Sequence, residues 1–324
     1  MRLLWPCVTV AALAVAGCGR TPIVQPCAER IDGEAVLTCD PAQQCEAPSF
    51  FITNRPANAL VVLDRSCSMA SLVDGRSKWA RAVEAVTDVV AQPRANLRWG
   101  LSLFPQPGAD ACVQGPIAVP VGAGQEPQIQ RTLTRALDRD DRYYPGEPCG
   151  TNLAGATQQL LDDQPFEGRD GRDHVVLITD GRHAGCSGSG DDAVDDVDAL
   201  RQRDIRTVVI GFGGGEDTRV LQALGEAGGV PASAELAYHL AGLDELDEVL
   251  QEVVAGLGCR HPLTIDAELS QVRVSFDDDQ VVPRDFGPGD GWQYRDETLW
   301  LTGQWCEQLL RGEVELIEVA LDCG

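Results

Sequence analysis

The chain is short of positive charge. Its 324 residues carry 26 Lys and Arg against 50 Asp and Glu, a formal net charge of −24. That balance repels phosphate backbones and anionic lipid surfaces, so nucleic acid is not an expected partner. Histidine is scarce as well: His174, His183, His239 and His261 show no zinc-ligand spacing, and no Cys-x-x-Cys accompanies them, which argues against a zinc site. Neither His-Glu-x-x-His, Gly-x-Ser-x-Gly nor a Walker phosphate loop occurs, and without these the common hydrolase and nucleotide-binding signatures are gone. Gly211-Phe212-Gly213-Gly214-Gly215 imitates a dinucleotide loop, but Glu216 stands where the last Gly belongs. Asp277-Asp278-Asp279 lacks the Gly and terminal Glu of an EF-hand loop and reads as a turn. The expectation is a protein that is not an enzyme.

The N-terminus is more positive in what it offers. Met1-Arg2 precedes an apolar run from Leu3 to Ala16 that is too short to span a bilayer, and small residues follow, as in a secretory signal. Val15-Ala16-Gly17-Cys18 resembles the lipobox of bacterial lipoproteins. The resemblance implies that residues 1–17 are removed, that Cys18 is the acylated first residue of the mature protein, and that the lipid is its only membrane contact. Gly19 in place of Asp resembles lipoproteins sent on to the outer membrane. Several acyl chains at about 0.8 kcal/mol per buried methylene anchor stably where one would not.

Without Cys7 and Cys18, ten of the 12 cysteines remain: Cys27, Cys39, Cys45, Cys67, Cys112, Cys149, Cys186, Cys259, Cys306 and Cys323. In an exported protein this even number is expected to form disulfides. The pairing is not legible.

Residues 60 to 69, Leu-Val-Val-Leu-Asp-Arg-Ser-Cys-Ser-Met, run an apolar strand into Asp64-x-Ser66-x-Ser68. A turn there gathers one carboxylate and two hydroxyls, an all-oxygen set suited to a hard divalent cation. A second apolar strand, Val175 to Thr179, ends in Asp180-Gly181, and Gly150-Thr151 opens a helix between the two. In this arrangement the chain resembles the metal-ion-dependent adhesion site (MIDAS) of von Willebrand factor type A domains, whose Asp-x-Ser-x-Ser, distant Thr and distant Asp map onto Asp64, Ser66, Ser68, Thr151 and Asp180. The resemblance implies a site for Mg2+, or Ca2+ or Mn2+, with an open position for an acidic side chain of a protein partner. It departs at Cys67, where the family usually has Gly; that side chain alters the loop or ties it to another. Cys67 and Cys186 lie just beyond ligand segments, and Cys112 and Cys149 lie in loops expected at the same end, which suggests two bridges bracing the site. An alternative stays open, a disulfide-braced structural envelope protein with no working metal.

Residues 18–52 lack periodicity and read as a Cys-containing tether. From 53 to 258 strands and helices alternate: apolar runs at 58–63, 97–104, 117–121, 173–179, 207–212 and 237–240, and helical patterns at 77–92, 126–137, 152–162, 192–203, 218–227 and 243–257. Alternation of this kind predicts an α/β, doubly wound, mostly parallel sheet. The link to 117–121 is too short for a crossover helix, so that strand is expected as an antiparallel edge. Residues 259–324 change to period-2 stretches separated by Gly, Pro and Asp, predicting a small antiparallel β module. Trp300 alternates there with aliphatic residues and is expected in its core with Trp292 and Trp305.

Overall fold

A computed structural model describes residues 29–31, 34–38, 49–108, 110–146, 149–180, 183–213, 217–230, 232, 236–277, 280–287 and 289–321. Cys18, Cys27, Cys39, Cys45 and Cys323 lie outside the described residues.

Six strands form the central sheet: β1 (Ala57–Asp64), β2 (Leu97–Phe104), β3 (Val119–Gly122), β4 (Arg172–Thr179), β5 (Ile205–Phe212) and β6 (His239–Ala241). Their spatial order is β6-β5-β4-β1-β2-β3, all parallel except β3, which runs antiparallel to β2 at the edge. Every residue of β1 is buried, as expected of a parallel strand covered on both faces. The pleat divides its side chains: Ala59, Val61 and Leu63 enter one core layer, Leu60 and Val62 the other. Helices α1 (Lys78–Val90), α2 (Glu126–Arg135) and α6 (Leu246–Cys259) cover the first layer; α3 (Leu153–Asp163), α4 (Gly190–Arg201) and α5 (Thr218–Gly228) cover the second.

The helices start where local chemistry tells them to. The Ser77 hydroxyl accepts from Ala80 N at the head of α1, Asn152 accepts from Gly155 N at α3, and Ser189 with Asp192 forms a reciprocal capping box at α4. α1 buries Trp79, Ala82, Val83, Val86, Val89 and Val90 on one stripe, and Trp79 Nε1 donates to the Ala136 carbonyl at 2.7 Å, docking the end of α2.

Past residue 259 the structure is richer than an antiparallel module. Strands Arg260–Pro262, Gly291–Arg295 and Thr298–Thr302 make one sheet; Gln280–Val282, Val272–Phe276 and Leu316–Leu321 make another, whose last strand is the edge partner of Ser49–Thr53. Residues 49–52, read as tether, therefore form a strand; its partner is over 260 positions away, beyond any local pattern. Helix α7 (Gln304–Arg311), absent from the period-2 reading, buries Trp305, Cys306, Leu309 and Leu310, and the Cys259–Cys306 disulfide (Cα–Cα 5.4 Å) ties it to α6. The core of this region is continuous with the α1, α2 and α6 layer.

Trp300 is a correction. Leu299 and Leu301 are 0% and 3% exposed, so alternation sends Trp300 to the opposite face. It lies half-buried there, with the Arg260 guanidinium 3.8 Å from its ring centroid, beside a cavity of about 1260 Å3 that Arg172 and Arg295 also line. Trp292 and Trp305 are core residues, as expected. Among the described residues no helix is long and apolar enough to cross a membrane.

Candidate metal centre

The strand order reverses between β1 and β4, and ligands of doubly wound sheets sit beyond the carboxyl ends of the strands at that reversal. Asp64 is the last residue of β1 and Asp180 follows directly on β4. The chain after Asp64 turns at once into a 3₁₀ helix, Cys67–Ala70. Ser66 N donates to Asp64 Oδ1 at 2.7 Å, the local side-chain bond that makes Asp a turn former, and buried Met69 pins the turn to the core. The turn points both serine hydroxyls the same way, with Ser66 Oγ and Ser68 Oγ 2.9 Å apart. Ser68 Oγ donates to Asp180 Oδ1 at 2.7 Å, and Thr179 Oγ1 donates to Asp64 Oδ2 at 2.6 Å. Arg65 turns away, donating to the carbonyls of Pro105 (2.5 Å), Tyr143 (3.1 Å) and Tyr144 (3.0 Å), and so ties the loops around the turn.

Asp64, Ser66, Ser68 and Asp180 thus form one hydrogen-bonded group. Thr151 is buried, and its backbone pairs with Ala184 (N to O 2.9 and 3.1 Å) rather than joining that group directly. Its loop is held by covalent bonds. Cys67 is joined to Cys149, two residues before Thr151 (Cα–Cα 5.2 Å), and Cys112 to Cys186 (Cα–Cα 5.3 Å). Four cysteines therefore make two bridges at this end of the sheet, and Asn152 Nδ2 adds a bond to the Cys112 carbonyl at 2.8 Å.

The electrostatics are those of crowded, buried acids. Burial, and after it the neighbouring Asp180 charge, push Asp64 up to about 6, against the opposing pull of its bonds from Thr179 and Ser66. Asp180 has a partner that was not anticipated: Lys78 Nζ lies 2.9 Å from Asp180 Oδ2, the two side chains being 11% and 0% exposed. Lys78, Thr179 and Arg65 are the site residues that sequence reading missed. Arg65 and Thr179 adjoin motif acids and were findable; Lys78 carried no signal beyond heading a helix.

The donor set fits a hard divalent cation. Two carboxylates and neighbouring hydroxyls converge, every donor is oxygen, and a cation would offset the burial and, after it, the Asp180 repulsion that raise Asp64. Among the described residues no group of three His, Cys, Asp or Glu side chains converges, so a nitrogen- or sulfur-rich centre is not what this end of the sheet provides.

The family model described as von Willebrand factor type A domain matches residues 58–252. Among solved structures, proximal thread matrix protein 1 from the mussel byssus is similar at 17% identity and a TM-score of 0.47, over 65% of this chain and 50% of that one. A structure of that protein with a zinc-occupied MIDAS motif gives 17% and 0.46, again over 65% and 50%. Manganese-loaded Plasmodium vivax TRAP protein is similar at 19% identity and a TM-score of 0.45, over 64% of this chain and 77% of that one. The pilus adhesin SpaC from Lactobacillus rhamnosus GG, in its open conformation, gives 14% and 0.47 over 82% and 38%. The chain thus spans about half the length of the mussel protein and less of the pilus adhesin. No curated protein matches.

Proposed function

The chain belongs to the von Willebrand factor type A domain family through residues 58–252, and from that premise we propose that it is a metal-dependent protein-binding module of the adhesion type, not an enzyme. Asp64, Ser66, Ser68, Thr151 and Asp180 would hold one divalent ion, Mg2+ or else Ca2+ or Mn2+. Such an ion supplies an electrophilic position for an acidic side chain of a protein partner. The chain's own part is preorganisation. Thr179 and Ser66 N fix the Asp64 carboxylate, Ser68 links the two strand ends, and the Cys67–Cys149 and Cys112–Cys186 bridges limit how far the surrounding loops can spread. The observation that carries this reading is the 2.7 Å bond from Ser68 to Asp180, which closes the motif across two strands.

Calorimetric titration of the metal-free full chain with Mg2+ and Mn2+ tests it. One saturable site is expected, with about 2.7 kcal/mol of added stability at a hundredfold excess over Kd. Asp64→Ala should abolish the gain and Asp195→Ala, on the outer side of α4, should not. No saturable binding by either ion would sink the proposal.

One observation favours a second reading, a disulfide-braced structural envelope protein with no working metal: Lys78 already supplies a cation to Asp180. The same titration separates the two. We further propose attachment to the outer membrane through acylated Cys18, supported by Val15-Ala16-Gly17-Cys18. Cys18→Ser should release the protein from membranes, and an intact mass without acyl groups would refute the anchor.

A further inference from the structure

We infer that Lys78 is a built-in cation that holds the charge of Asp180 while the metal centre is empty, and that a divalent ion must compete with it. The inference rests on the metal-centre reading above.

Three observations carry it. First, the ion pair is internal: Lys78 Nζ stands 2.9 Å from Asp180 Oδ2, and the side chains are 11% and 0% exposed. Second, Lys78 sits where both the helix and the solvent disfavour it. It is the first residue of α1, behind the Ser77 cap, where the helix dipole is positive and an acid is the favoured residue. It is also buried, and a buried ammonium is costly without a specific anion. Asp180 is the anion that offsets both costs. Third, the fold makes room for the stem. Gly213, at φ +80°, lies beside it, and a Cβ there would stand 3.3 Å from Lys78 Cδ and 3.4 Å from Cε.

The two oxygens of Asp180 are divided: Oδ1 takes the Ser68 hydroxyl, which belongs to the motif, and Oδ2 takes the ammonium. A divalent ion using the motif therefore shares one carboxylate with a fixed positive charge. Like charges on one acid repel, and low exposure leaves that repulsion poorly screened. Lys78 thus lowers metal affinity and keeps the empty site stable. It also sets the charge a partner meets. Asp64 and Asp180 with Lys78 sum to −1 when ionised; a divalent ion makes the sum +1, which admits a carboxylate even on a chain of net charge −24. Without Lys78 the loaded site would be neutral.

The test compares wild type with Lys78→Met, Lys78→Arg, Asp180→Asn and the Lys78→Met/Asp180→Asn double variant. In chelator, Lys78→Met should melt lower than wild type, and the double variant should recover part of that loss because no buried carboxylate is left unpaired. In Mg2+ titrations Lys78→Met should bind roughly tenfold tighter or more, and Lys78→Arg close to wild type. Equal or weaker binding by Lys78→Met overturns the inference and makes the lysine an aid to orienting Asp180. If Lys78→Met does not fold in chelator, recovery on adding Mg2+ supports exchange between the two cations, and no recovery overturns it. Failure of the underlying metal reading has a different signature: no variant, wild type included, binds a divalent ion, while the melting temperatures in chelator still show Lys78 coupled to Asp180. In that case Lys78 is a permanent counter-ion and the exchange is refuted.

Discussion

Ser68 and Asp180 are 112 positions apart, yet the hydroxyl of one donates to the carboxylate of the other at 2.7 Å. The contact follows from register. β1 and β4 pair in parallel from Ala57 opposite Arg172 to Leu63 opposite Ile178, so the two chains leave the sheet side by side. Each then turns immediately, one through the 3₁₀ segment after Asp64 and the other at Asp180.

Removing that hydroxyl separates its two roles. Ser68→Ala is expected to lose about 1 to 2 kcal/mol in chelator, the usual worth of a bond to a charged group on a partly exposed side chain. Its Mg2+ affinity should fall about tenfold or more, since a ligand and a link between strands go together. Urea melts with and without Mg2+ measure both. An unchanged increment on adding Mg2+ would remove Ser68 from the ligand set.

The bridges are expected to act differently at the two ends of the sheet. Replacing Cys67 and Cys149 by Ser opens a bridge with a sequence separation of 82 and should cost about 2 to 5 kcal/mol. The same pair should weaken divalent binding, because Thr151 lies two residues beyond Cys149. Replacing Cys259 and Cys306 should also destabilise, but that bridge joins α6 to α7 near the start of β4, away from Asp64, so metal affinity should stay unchanged. Calorimetry on both double variants decides this.

Two histidines make stability depend on pH. Burial, reinforced by the nearby Arg172 charge, pulls His174 down to about 4 and His261 down to about 3. In the unfolded chain both titrate near 6.5. The fold therefore prefers them neutral. Their contribution is complete above about 6.5 and is lost as pH falls, at up to about 1.4 kcal/mol per pH unit for each, until the folded values are reached. Urea midpoints from pH 7 to 5 should fall on this account. His174→Gln with His261→Gln should flatten the slope; an unchanged slope would assign it to other groups.

Asn54 ties three segments together. Its Nδ2 donates to the carbonyls of Leu309 (3.0 Å) and Val314 (2.9 Å), and its Oδ1 accepts from Asn96 Nδ2 at 2.9 Å. Asn54→Ala removes all three bonds. The Leu309 carbonyl keeps Gly312 N and Asn96 Nδ2 keeps the Arg55 carbonyl, so the Val314 carbonyl is the group left without its bond, and the expected cost is about 1 to 2 kcal/mol. The loss should be felt first in the strand Leu316–Leu321, as faster amide exchange there than in β1 and β4. Uniform acceleration across the molecule would contradict it.

Much of the central sheet was legible because its determinants are local. β1 over residues 59–63 and β4 over residues 175–178 are buried on both faces and apolar there, α3 begins at Asn152, whose side chain satisfies a first free amide, and the edge strand β3 follows a link too short for a crossover helix. α4 starts two residues before its expected first residue, 192, behind the Ser189 cap. Asp64, Ser66, Ser68 and Asp180 stood out through the resemblance of their order to the type A motif, because an acid and hydroxyls at a strand end are by themselves ordinary turn formers. Trp300 was misplaced because alternation reveals which residues share a face and not which face meets the core.

What the amino-acid order determined by itself is therefore the period of each element, where it stops, and which oxygen-bearing residues stand at the stops. What only the tertiary structure decided is which distant groups meet. Cys67 pairs with Cys149 and not with its other candidates, Lys78 reaches Asp180 from the head of α1, and Ser49–Thr53 completes a sheet begun some 220 residues later. The physical reason is that propensity, capping and alternation act over a few residues. Pairing across tens or hundreds of residues depends on the register of the strands and on the entropy of closing the loops between them, and neither leaves a mark on neighbouring positions.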